Sequence, residues 1–291
     1  MTEPLQDVLL RREGRAGRIT LNRPKALNAL TLDMVRQIAP VLTAWATDPQ
    51  IAHVVLDGAG ERALCAGGDV VSLYSARIDG SRDARAFWRE EYALNAAIHR
   101  YPKPFIAVMH GIVMGGGIGL SAHVQGGARV VTERSRIAFP ETSIGLIPDV
   151  GGTWLLSRAP DETGPYLSLM GAAMNAADAI HTGFADVFMQ SAKVPELIAR
   201  LCHGAQAPRA VLASFAEEAG PSELAGELRS CLAACFGHET VEEIRAALQR
   251  HGSAWALKTL ADLAVRSPTA LKTTLAAIRR ARRMASLEEA L

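Results

Sequence analysis

Short apolar runs alternate with stretches of helical spacing in the first two thirds of the chain. One such stretch follows Thr31, where apolar residues recur three and four positions apart from Met34 to Trp45, and it predicts a helix capped by Thr31. A second helix is predicted over 83–100. The predicted strands are 8–12, 18–21, 54–56, 105–109, 128–131 and 136–139. Strands interleaved with helices indicate the α/β class.

Beyond residues 185–189 no further strand is predicted, and the apolar pattern is helical. The predicted helices are 194–203, 207–219, 222–236, 240–250, 253–265 and 268–283. Suitable caps or first-turn residues stand at Ser222, Thr240, Ser253 and Ser267. We therefore expect an α/β core over residues 1–190 and a helical C-terminal region over residues 191–291.

Composition and charge exclude several classes of protein. With 49% hydrophobic and 21% charged residues, the 291-residue chain suits a globular protein with a large core. The net charge of +1 gives no reason to expect a nucleic-acid partner. No apolar run approaches the ~18 residues that a membrane-spanning helix needs, so no membrane association is expected.

The cysteines and the N-terminus bear on metal binding and location. The spacing of Cys65, Cys202, Cys231 and Cys235 fits neither a disulfide framework nor a zinc site, so we expect no metal and a reducing compartment. Residues 1–10 contain acidic side chains and no basic start before an apolar block. We therefore expect no signal peptide and a cytoplasmic location.

Two glycine-rich segments follow predicted strands and open predicted helices. One reads Gly-Gly-Gly-Ile-Gly over 115–119, and the other contains Gly67 and Gly68. Backbone N–H groups at the start of a helix are unpaired and favour a negative oxygen. One N–H from each segment could hold a single oxyanion, which would polarise a carbonyl group. The alternative is two ordinary glycine turns.

A dinucleotide site is another interpretation of the later segment. Gly117 to Ala122 fits the pattern G-x-G-x-x-A, and Glu141 follows at about 20 residues, where a ribose-binding acid would stand. Such a fingerprint normally opens its domain, whereas roughly a hundred residues precede it here. It also leaves the glycine-rich segments 66–69 and 148–152 without a role. The oxyanion interpretation is therefore favoured.

Several motifs occur in the order and spacing of one enzyme superfamily. They are Asn22-Arg23-Pro24-(x3)-Asn28-Ala29-Leu30, Ala66-Gly67-Gly68-Asp69, His110-Gly111-(x3)-Gly115-Gly116-Gly117, Phe139-Pro140-Glu141 and Gly145-(x2)-Pro148-(x2)-Gly151-Gly152. In these motifs the chain resembles the crotonase (enoyl-CoA hydratase/isomerase) superfamily over residues 8–190. The resemblance implies a crotonase-like ββα-repeat spiral with a helical C-terminal region and an acyl-CoA thioester substrate. It also implies an oxyanion hole formed by the N–H groups of Gly68 and Gly116, and it leaves a homo-oligomer open.

Within the superfamily, the chain resembles the 3-hydroxyisobutyryl-CoA hydrolases. The segments that carry this likeness include Arg89-Glu90-Glu91-Tyr92-(x)-Leu94-Asn95 and Ile147-Pro148-Asp149-Val150-Gly151-Gly152. Hydratases of the superfamily have a glutamate at the position of Gly119 and a glycine at that of Asp149. The resemblance therefore implies hydrolysis of a short β-hydroxyacyl-CoA, most closely 3-hydroxyisobutyryl-CoA of valine catabolism. Coenzyme A enters as part of this substrate, and no separate cofactor is expected.

Three acids receive roles from this resemblance and from thioester chemistry. Glu141 is the expected catalytic residue, either as a general base toward water or as a nucleophile that forms a mixed anhydride. Asp149 would orient the water or the substrate hydroxyl and raise the pKa of Glu141. By resemblance, Glu91 would contact the acyl hydroxyl. Each acid also has a structural interpretation, as a loop, cap or solvated residue, and His110 and His123 are both interpreted as structural.

Two other functions remain open from the sequence. A hydratase or isomerase could use Glu141 alone, and a CoA-binding protein could lack turnover altogether. The resembling hydrolases continue for several dozen residues past the point that matches Leu291. The helical C-terminal region is therefore expected to be shorter than theirs.

Overall fold

The computed structural model describes residues 6–78 and 83–291, and the side chains of these residues except 76, 77 and 83. Residues 1–5, which contribute to the expectation about a signal peptide, lie outside the described residues. The strands are β1 (Val8–Glu13), β2 (Ala16–Leu21), β3 (His53–Gly58), β4 (Ala63–Cys65), β5 (Phe105–Met109), β6 (Ile112–Met114), β7 (Ala128–Val131), β8 (Arg136–Ala138) and β9 (Val187–Phe188).

The helices of the described residues cover both the α/β part and the C-terminal region. They are α1 (Leu32–Thr47), α2 (Val70–Ile78), α3 (Asp83–His99), α4 (Gly116–Ser121), α5 (Gly152–Arg158), α6 (Thr163–Met170), α7 (Ala176–His181), α8 (Val194–His203), α9 (Pro208–Phe215), α10 (Glu227–Phe236), α11 (Val241–His251), α12 (Ala254–Ala264) and α13 (Pro268–Ala281). None of these helices is long and apolar enough to cross a membrane.

Two sheets form the centre of the α/β part. The larger has the strand order β1-β2-β3-β5-β7-β9, and its neighbours are parallel except for the β1–β2 hairpin. The smaller has the order β4-β6-β8 and is parallel throughout. Successive units of the chain therefore add one strand to the large sheet, one to the small sheet and then a helical segment. This arrangement confirms the predicted ββα-repeat spiral.

The repeat brings distant parts of the sequence to one edge of the small sheet. Because β4, β6 and β8 are parallel neighbours, the segments that follow them begin side by side. Gly68 follows β4, Gly116 follows β6, and Glu141 follows β8 at the start of a short 3-10 helix, Glu141–Ile144. The fold therefore places these three residues together, although more than seventy positions separate the first from the last.

Apolar side chains cover both faces of the large sheet. In β3, Val54 and Leu56 belong to the main core, whereas Val55 faces a second core. The second core joins the sheet to α8 and α9, through residues such as Leu197 and Val211. A parallel strand covered on both faces is apolar throughout its length, which explains the continuous apolar runs of β3 and β5.

The C-terminal helices begin largely where their caps predict. Thr240, Ser253 and Ser267 each accept a hydrogen bond from the backbone N–H three residues on, as N-cap residues do. The helix α13 packs against α5 and α6, so this region shares the main core with the spiral. The division of the chain at residues 190 and 191 stays a prediction.

Two helix boundaries of this region were placed wrongly by the sequence pattern. The helix predicted over 207–219 ends at Phe215, and the helix predicted over 222–236 begins at Glu227. Ser222 is not a helix cap, because the cap of this helix is Gly226; the Ser222 hydroxyl donates to Asp178 Oδ1 at 2.6 Å and accepts the Leu224 N–H at 3.1 Å. The same carboxylate oxygen accepts the Glu223 N–H at 2.9 Å. A tertiary contact thus holds this segment outside a helix, and local periodicity gives no sign of it.

Candidate active site

Two unpaired backbone N–H groups meet at one end of a cavity. Gly68 precedes α2, and Gly116 is the first residue of α4, where a helical N–H has no partner within its own helix. Among the described residues, no acceptor bonds to either N–H. A Cβ atom added to Gly116 would lie 3.4 Å from Gly68 N, so the two backbones approach closely. The structure therefore brings together the two residues predicted to form an oxyanion hole.

Glycine is required at this meeting point for steric reasons. The Cβ of any other residue at position 116 would lie 2.5 Å from Glu91 Oε1, and one at 117 would lie 2.3 Å from Cys65 O. Gly67 and Gly115 have φ values of +111° and +45°, which side-chain-bearing residues rarely adopt. The glycine run thus lets α4 pack against β4 and leaves its first N–H facing the cavity.

Glu141 lines the same cavity with one oxygen unpaired. It is 7% exposed, and its Oε2 has no hydrogen-bond partner among the described residues. Its Oε1 would lie 3.2 Å from a Cβ added to Gly115, which places the carboxyl beside the glycine run. Burial, followed by the nearby charge of Asp149, raises the pKa of Glu141 to about 8. Such a carboxyl is held close to the pKa that suits a base near neutral pH.

Asp149 lies in the loop before α5 and accepts a hydrogen bond from a tyrosine. The hydroxyl of Tyr92 donates to Asp149 Oδ2 at 3.0 Å. Burial raises the pKa of Asp149, and the bond from Tyr92 acts against that rise. The following residues, Val150 and Gly151, have φ values of +47° and +72°. The loop is therefore tightly turned immediately after the carboxyl group.

Glu91 completes the cluster from α3. It is 1% exposed, and its Oε1 has no hydrogen-bond partner among the described residues. Burial, and then the charge of Asp149, raise the pKa of Glu91 well above its usual value. The structural interpretation of Glu91 as a solvated helix residue is wrong, because the side chain is buried and faces the glycine run.

These groups surround one cavity of about 110 Å³. Its lining includes Gly68, Gly116, Glu91, Glu141 and Asp149, so the structure collects all five predicted site residues in one place. Further lining residues supply apolar walls; they are Val70, Leu73, Phe87, Trp88, Met114, Ile144 and Leu146. The cavity combines donors for an oxyanion with carboxyl groups in apolar surroundings, which suits chemistry at a carbonyl carbon.

Two histidines singled out in the sequence lie outside this lining. His110 Nδ1 lies 2.9 Å from Thr132 Oγ1, and His123 Nε2 lies 2.7 Å from Val150 O. Neither lines the cavity. Within the described ranges, no group of three or more His, Cys, Asp or Glu side chains is arranged to hold a metal ion.

Tyr92 and Asn95 are the side chains near the site whose roles the sequence pattern did not reveal. Tyr92 was predicted only as a residue of the helix over 83–100 and as part of the hydrolase-like segment, although its hydroxyl bonds to Asp149. Asn95 is fully buried, and a Cβ added to Gly119 would lie 2.9 Å from its Nδ2 and 2.8 Å from Val150 Cβ. Position 119 is therefore closed by packing. The signal available in the sequence was an asparagine one helical turn after Glu91, on the same face of the helix.

A family model described as enoyl-CoA hydratase/isomerase matches residues 16–291. The chain belongs to the enoyl-CoA hydratase/isomerase family. This membership confirms the predicted superfamily and accounts for the ββα-repeat spiral. A mitochondrial 3-hydroxyisobutyryl-CoA hydrolase of Xenopus tropicalis is 43% identical over 98% of this chain and 75% of its own length. The corresponding protein of Homo sapiens is 42% identical over 94% of this chain and 72% of its own length.

Solved structures of other family members superpose closely on this chain. A carnitinyl-CoA dehydratase from Mycobacterium thermoresistibile is 49% identical with a TM-score of 0.92, over 98% of this chain and 83% of that chain. An enoyl-CoA hydratase from Rhodobacter sphaeroides is 43% identical with a TM-score of 0.88, over 98% of this chain and 82% of that chain. The family is thus shared by relatives with hydrolase, dehydratase and hydratase names. The hydrolases of Xenopus tropicalis and Homo sapiens confirm the predicted resemblance to 3-hydroxyisobutyryl-CoA hydrolases.

Proposed function

We propose that this chain hydrolyses the thioester of a short β-hydroxyacyl-CoA, and that 3-hydroxyisobutyryl-CoA is its substrate. The observation that carries the proposal is the meeting of two unpaired N–H groups with two buried carboxyl groups and the half-buried Asp149 around one cavity. The names of the relatives from Xenopus tropicalis and Homo sapiens support the same reaction. The acid at Asp149 and the closed position at Gly119 favour hydrolysis over addition of water to a double bond.

The two N–H groups activate the thioester. The carbonyl oxygen of the substrate accepts hydrogen bonds from Gly68 N and Gly116 N. These bonds strengthen when the carbon becomes tetrahedral and the oxygen carries a full negative charge. Loss of one such donor costs about 2.7–4 kcal/mol of transition-state stabilisation in comparable sites. The apolar side chains that line the cavity lower its polarity, which strengthens these bonds.

Glu141 supplies the base in the simpler of two routes. Its carboxylate takes a proton from water, and the hydroxide attacks the thioester carbon. The tetrahedral intermediate then expels the CoA thiolate, which takes the proton back from Glu141. In the second route Glu141 itself attacks, expels the thiolate and forms a mixed anhydride that water then cleaves. A pKa near 8 leaves enough carboxylate at neutral pH for either route.

The other two carboxyl groups orient the substrate. Asp149, held by Tyr92, accepts a hydrogen bond from the attacking water or from the β-hydroxyl group. Burial raises the pKa of Glu91 well above its usual value, which favours the protonated form, and a protonated carboxyl can both donate to and accept from the hydroxyl. A substrate without the hydroxyl would leave these buried groups unpaired. This is the physical basis for selecting a β-hydroxyacyl group.

A hydratase or dehydratase is the second candidate function. It is favoured by the names of the two solved structures that are 49% and 43% identical. In that reaction Glu141 would move the proton of a water that adds to the β-carbon, and the thioester would survive. The two functions differ in one product, because only hydrolysis releases free CoA.

Free thiol and enoyl-thioester absorbance, measured in parallel, test the proposal. With 3-hydroxyisobutyryl-CoA, we expect free thiol to appear in step with the free acid. Glu141→Gln is the matched control and should release thiol only at the background rate. A change in enoyl absorbance without thiol would establish the second candidate instead. Acyl-CoA that binds and is recovered unchanged would reject both and support a binding protein.

The setting of the reaction is also part of the proposal. The steps above need no metal and no cofactor beyond the CoA of the substrate. We keep the predicted cytoplasmic location, although the hydrolase relatives of Xenopus tropicalis and Homo sapiens are named as mitochondrial. A homo-oligomer stays a prediction, and light scattering of the purified protein measures it directly. The net charge of +1 supports the absence of a nucleic-acid partner.

A further inference from the structure

His123 is a buried histidine that donates to the loop carrying Asp149. It follows α4 and is 3% exposed. Its Nε2 lies 2.7 Å from Val150 O, and a carbonyl oxygen can only accept, so Nε2 carries the hydrogen. Its Nδ1 has no partner among the described residues. Burial lowers the pKa of His123 to about 4, so the ring is neutral at physiological pH.

Val150 has a backbone conformation that needs external support. A φ of +47° is an outlier for a β-branched residue, and conformations of this kind cost of order 1–3 kcal/mol. Gly151 continues the turn at +72°, and the Gly152 N–H closes it on Asp149 O at 2.5 Å. Within the described ranges, no backbone N–H bonds to Val150 O. The bond from His123 is therefore the support that this carbonyl receives.

The contact between the ring and the loop is close on a second side. A Cβ atom added to Gly151 would lie 2.9 Å from both Cε1 and Nε2 of His123. The imidazole thus packs into the space that is left by the missing side chain of Gly151. Asp149 is then fixed by the backbone after it and by the Tyr92 hydroxyl at its carboxyl group.

We propose that His123 is a positioning residue, which holds Asp149 in the cavity by donating its Nε2–H to the carbonyl of Val150. This proposal rests on the proposed function in so far as Asp149 acts in the reaction. His123 itself does not line the cavity and does not touch the reacting atoms. It acts through a strained peptide one residue away from the acid. Its loss would release the turn and let the carboxyl group move away from the substrate.

A pair of substitutions separates the hydrogen bond from the volume of the ring. Methionine and glutamine have similar length and shape, but only glutamine has an N–H at the position of Nε2. We expect His123→Met to lower kcat about 30-fold with KM changed less than about 3-fold, because misplacement of a group by ~1 Å can cost ~100-fold. His123→Gln should recover most of the loss. Wild-type kcat in His123→Met, or equal losses in both variants, would overturn the proposal.

His53 is a matched control that does not line the cavity. It is also buried, its Nε2 lies 3.0 Å from Leu201 O, and its Nδ1 has no partner among the described residues. His53→Met should lower Tm as His123→Met does, and should leave kcat within about 2-fold of wild type, since it joins β3 to α8 and not to the site. A loss of kcat as large as that of His123→Met would mean that reduced stability explains both, and would overturn the positioning role.

A crystal structure of His123→Met tests the inference without reference to activity. We expect Val150 to leave the left-handed region and the 3.0 Å contact between Tyr92 Oη and Asp149 Oδ2 to break. An unchanged loop would overturn the positioning role, even if hydrolysis is established. Conversely, a released loop in His123→Met, together with a wild-type protein that frees no CoA, would uphold the inference and reject the proposed function. The two failures are thus distinguishable.

Discussion

The two sides of the cavity are built in different ways. On one side, Gly68 and Gly116 present main-chain N–H groups, and each follows a strand of the small sheet. On the other side, Glu91, Glu141 and Asp149 present side chains from a long helix, a 3-10 helix and a loop. The first side, the amide side, repeats one local arrangement twice. The second side, the acid side, is assembled from three unlike segments.

The difference lies in what each side costs the folded state. The first N–H groups of a helix are unpaired in every helix, so using them for an oxyanion costs almost nothing. The acid side destabilises the folded state, because burial raises the pKa of Glu91, Glu141 and Asp149, and one oxygen of each glutamate is left unpaired. Cost of this kind is characteristic of functional sites. Replacement of a buried acid should therefore lower activity and raise stability, whereas replacement of a glycine should lower activity without that gain in stability.

The largest effect is expected on the acid side, at Glu141. Glu141→Gln keeps the shape of the side chain and removes the base. We expect kcat to fall by about 10³-fold or more, because general base catalysis contributes ~10²–10⁴-fold. Binding of the acyl-CoA should change little. Thiol release gives kcat, and calorimetry with the unreacted ester gives the affinity. Retention of more than about a tenth of kcat would remove Glu141 from its role.

The same substitution should make the protein more stable at high pH. The pKa of Glu141 is about 8 in the folded state against an ordinary 4.5, so the folded state keeps a proton that the unfolded state loses. Stability is therefore fully present below pH 4.5 and falls as the pH rises toward 8. In Glu141→Gln this fall is absent, and we expect a relative gain on the order of 3 kcal/mol between pH 5 and pH 8. Urea unfolding at the two pH values measures it, and parallel wild-type and variant curves would contradict it.

A smaller loss of activity is expected on the amide side, at Gly116. The methyl group of Gly116→Ala would lie 2.5 Å from Glu91 Oε1 and 3.4 Å from Gly68 N, inside the space of the oxyanion. We expect kcat/KM to fall about 100-fold, as for the loss of one oxyanion donor. Gly183→Ala is the control, since position 183 has a φ of +79° and open space around it. It should lose stability and keep its activity, and equal losses of activity would point to a general effect of the added methyl group.

The amide side could be predicted from the sequence because it is local. Each glycine run is contiguous with the helix after it, so the motif carries the local arrangement, although the short strands β4 and β6 before the runs were not predicted. Gly68 and Gly116 were placed together by these motifs and by the superfamily resemblance, and their unpaired N–H groups meet in the structure. The alternation of strands and helices indicated the α/β class, and the superfamily resemblance implied the spiral. Local chemistry is what a sequence displays most directly.

The acid side could be predicted only in part. The three acids were identified, but their burial, their raised pKa values and the partner of Asp149 depend on packing between distant segments. The pattern of α3 predicts Tyr92 only as a helix residue. It gives no sign that the hydroxyl of Tyr92 reaches a loop 57 positions further along the chain. The same reason explains why Ser222 was taken as a helix cap. A hydrogen bond between distant segments leaves no periodicity in either of them.

The smallest effect is expected at Tyr92, whose hydroxyl supports Asp149 of the acid side. Its hydroxyl donates to Asp149 and holds down the pKa that burial raises. In Tyr92→Phe the pKa of Asp149 rises further, so less of it is ionised, and the pH profile of kcat/KM moves to higher pH. We expect a loss of about 5-fold at the acidic end of the profile, and this loss shrinks as the pH rises. Tyr101→Phe is the control, since Tyr101 donates to Leu42 O at 2.9 Å and does not line the cavity. A Tyr92→Phe profile that is lowered equally at every pH would mean that the tyrosine only packs. In that case the pKa of Asp149 would have to be set by burial alone.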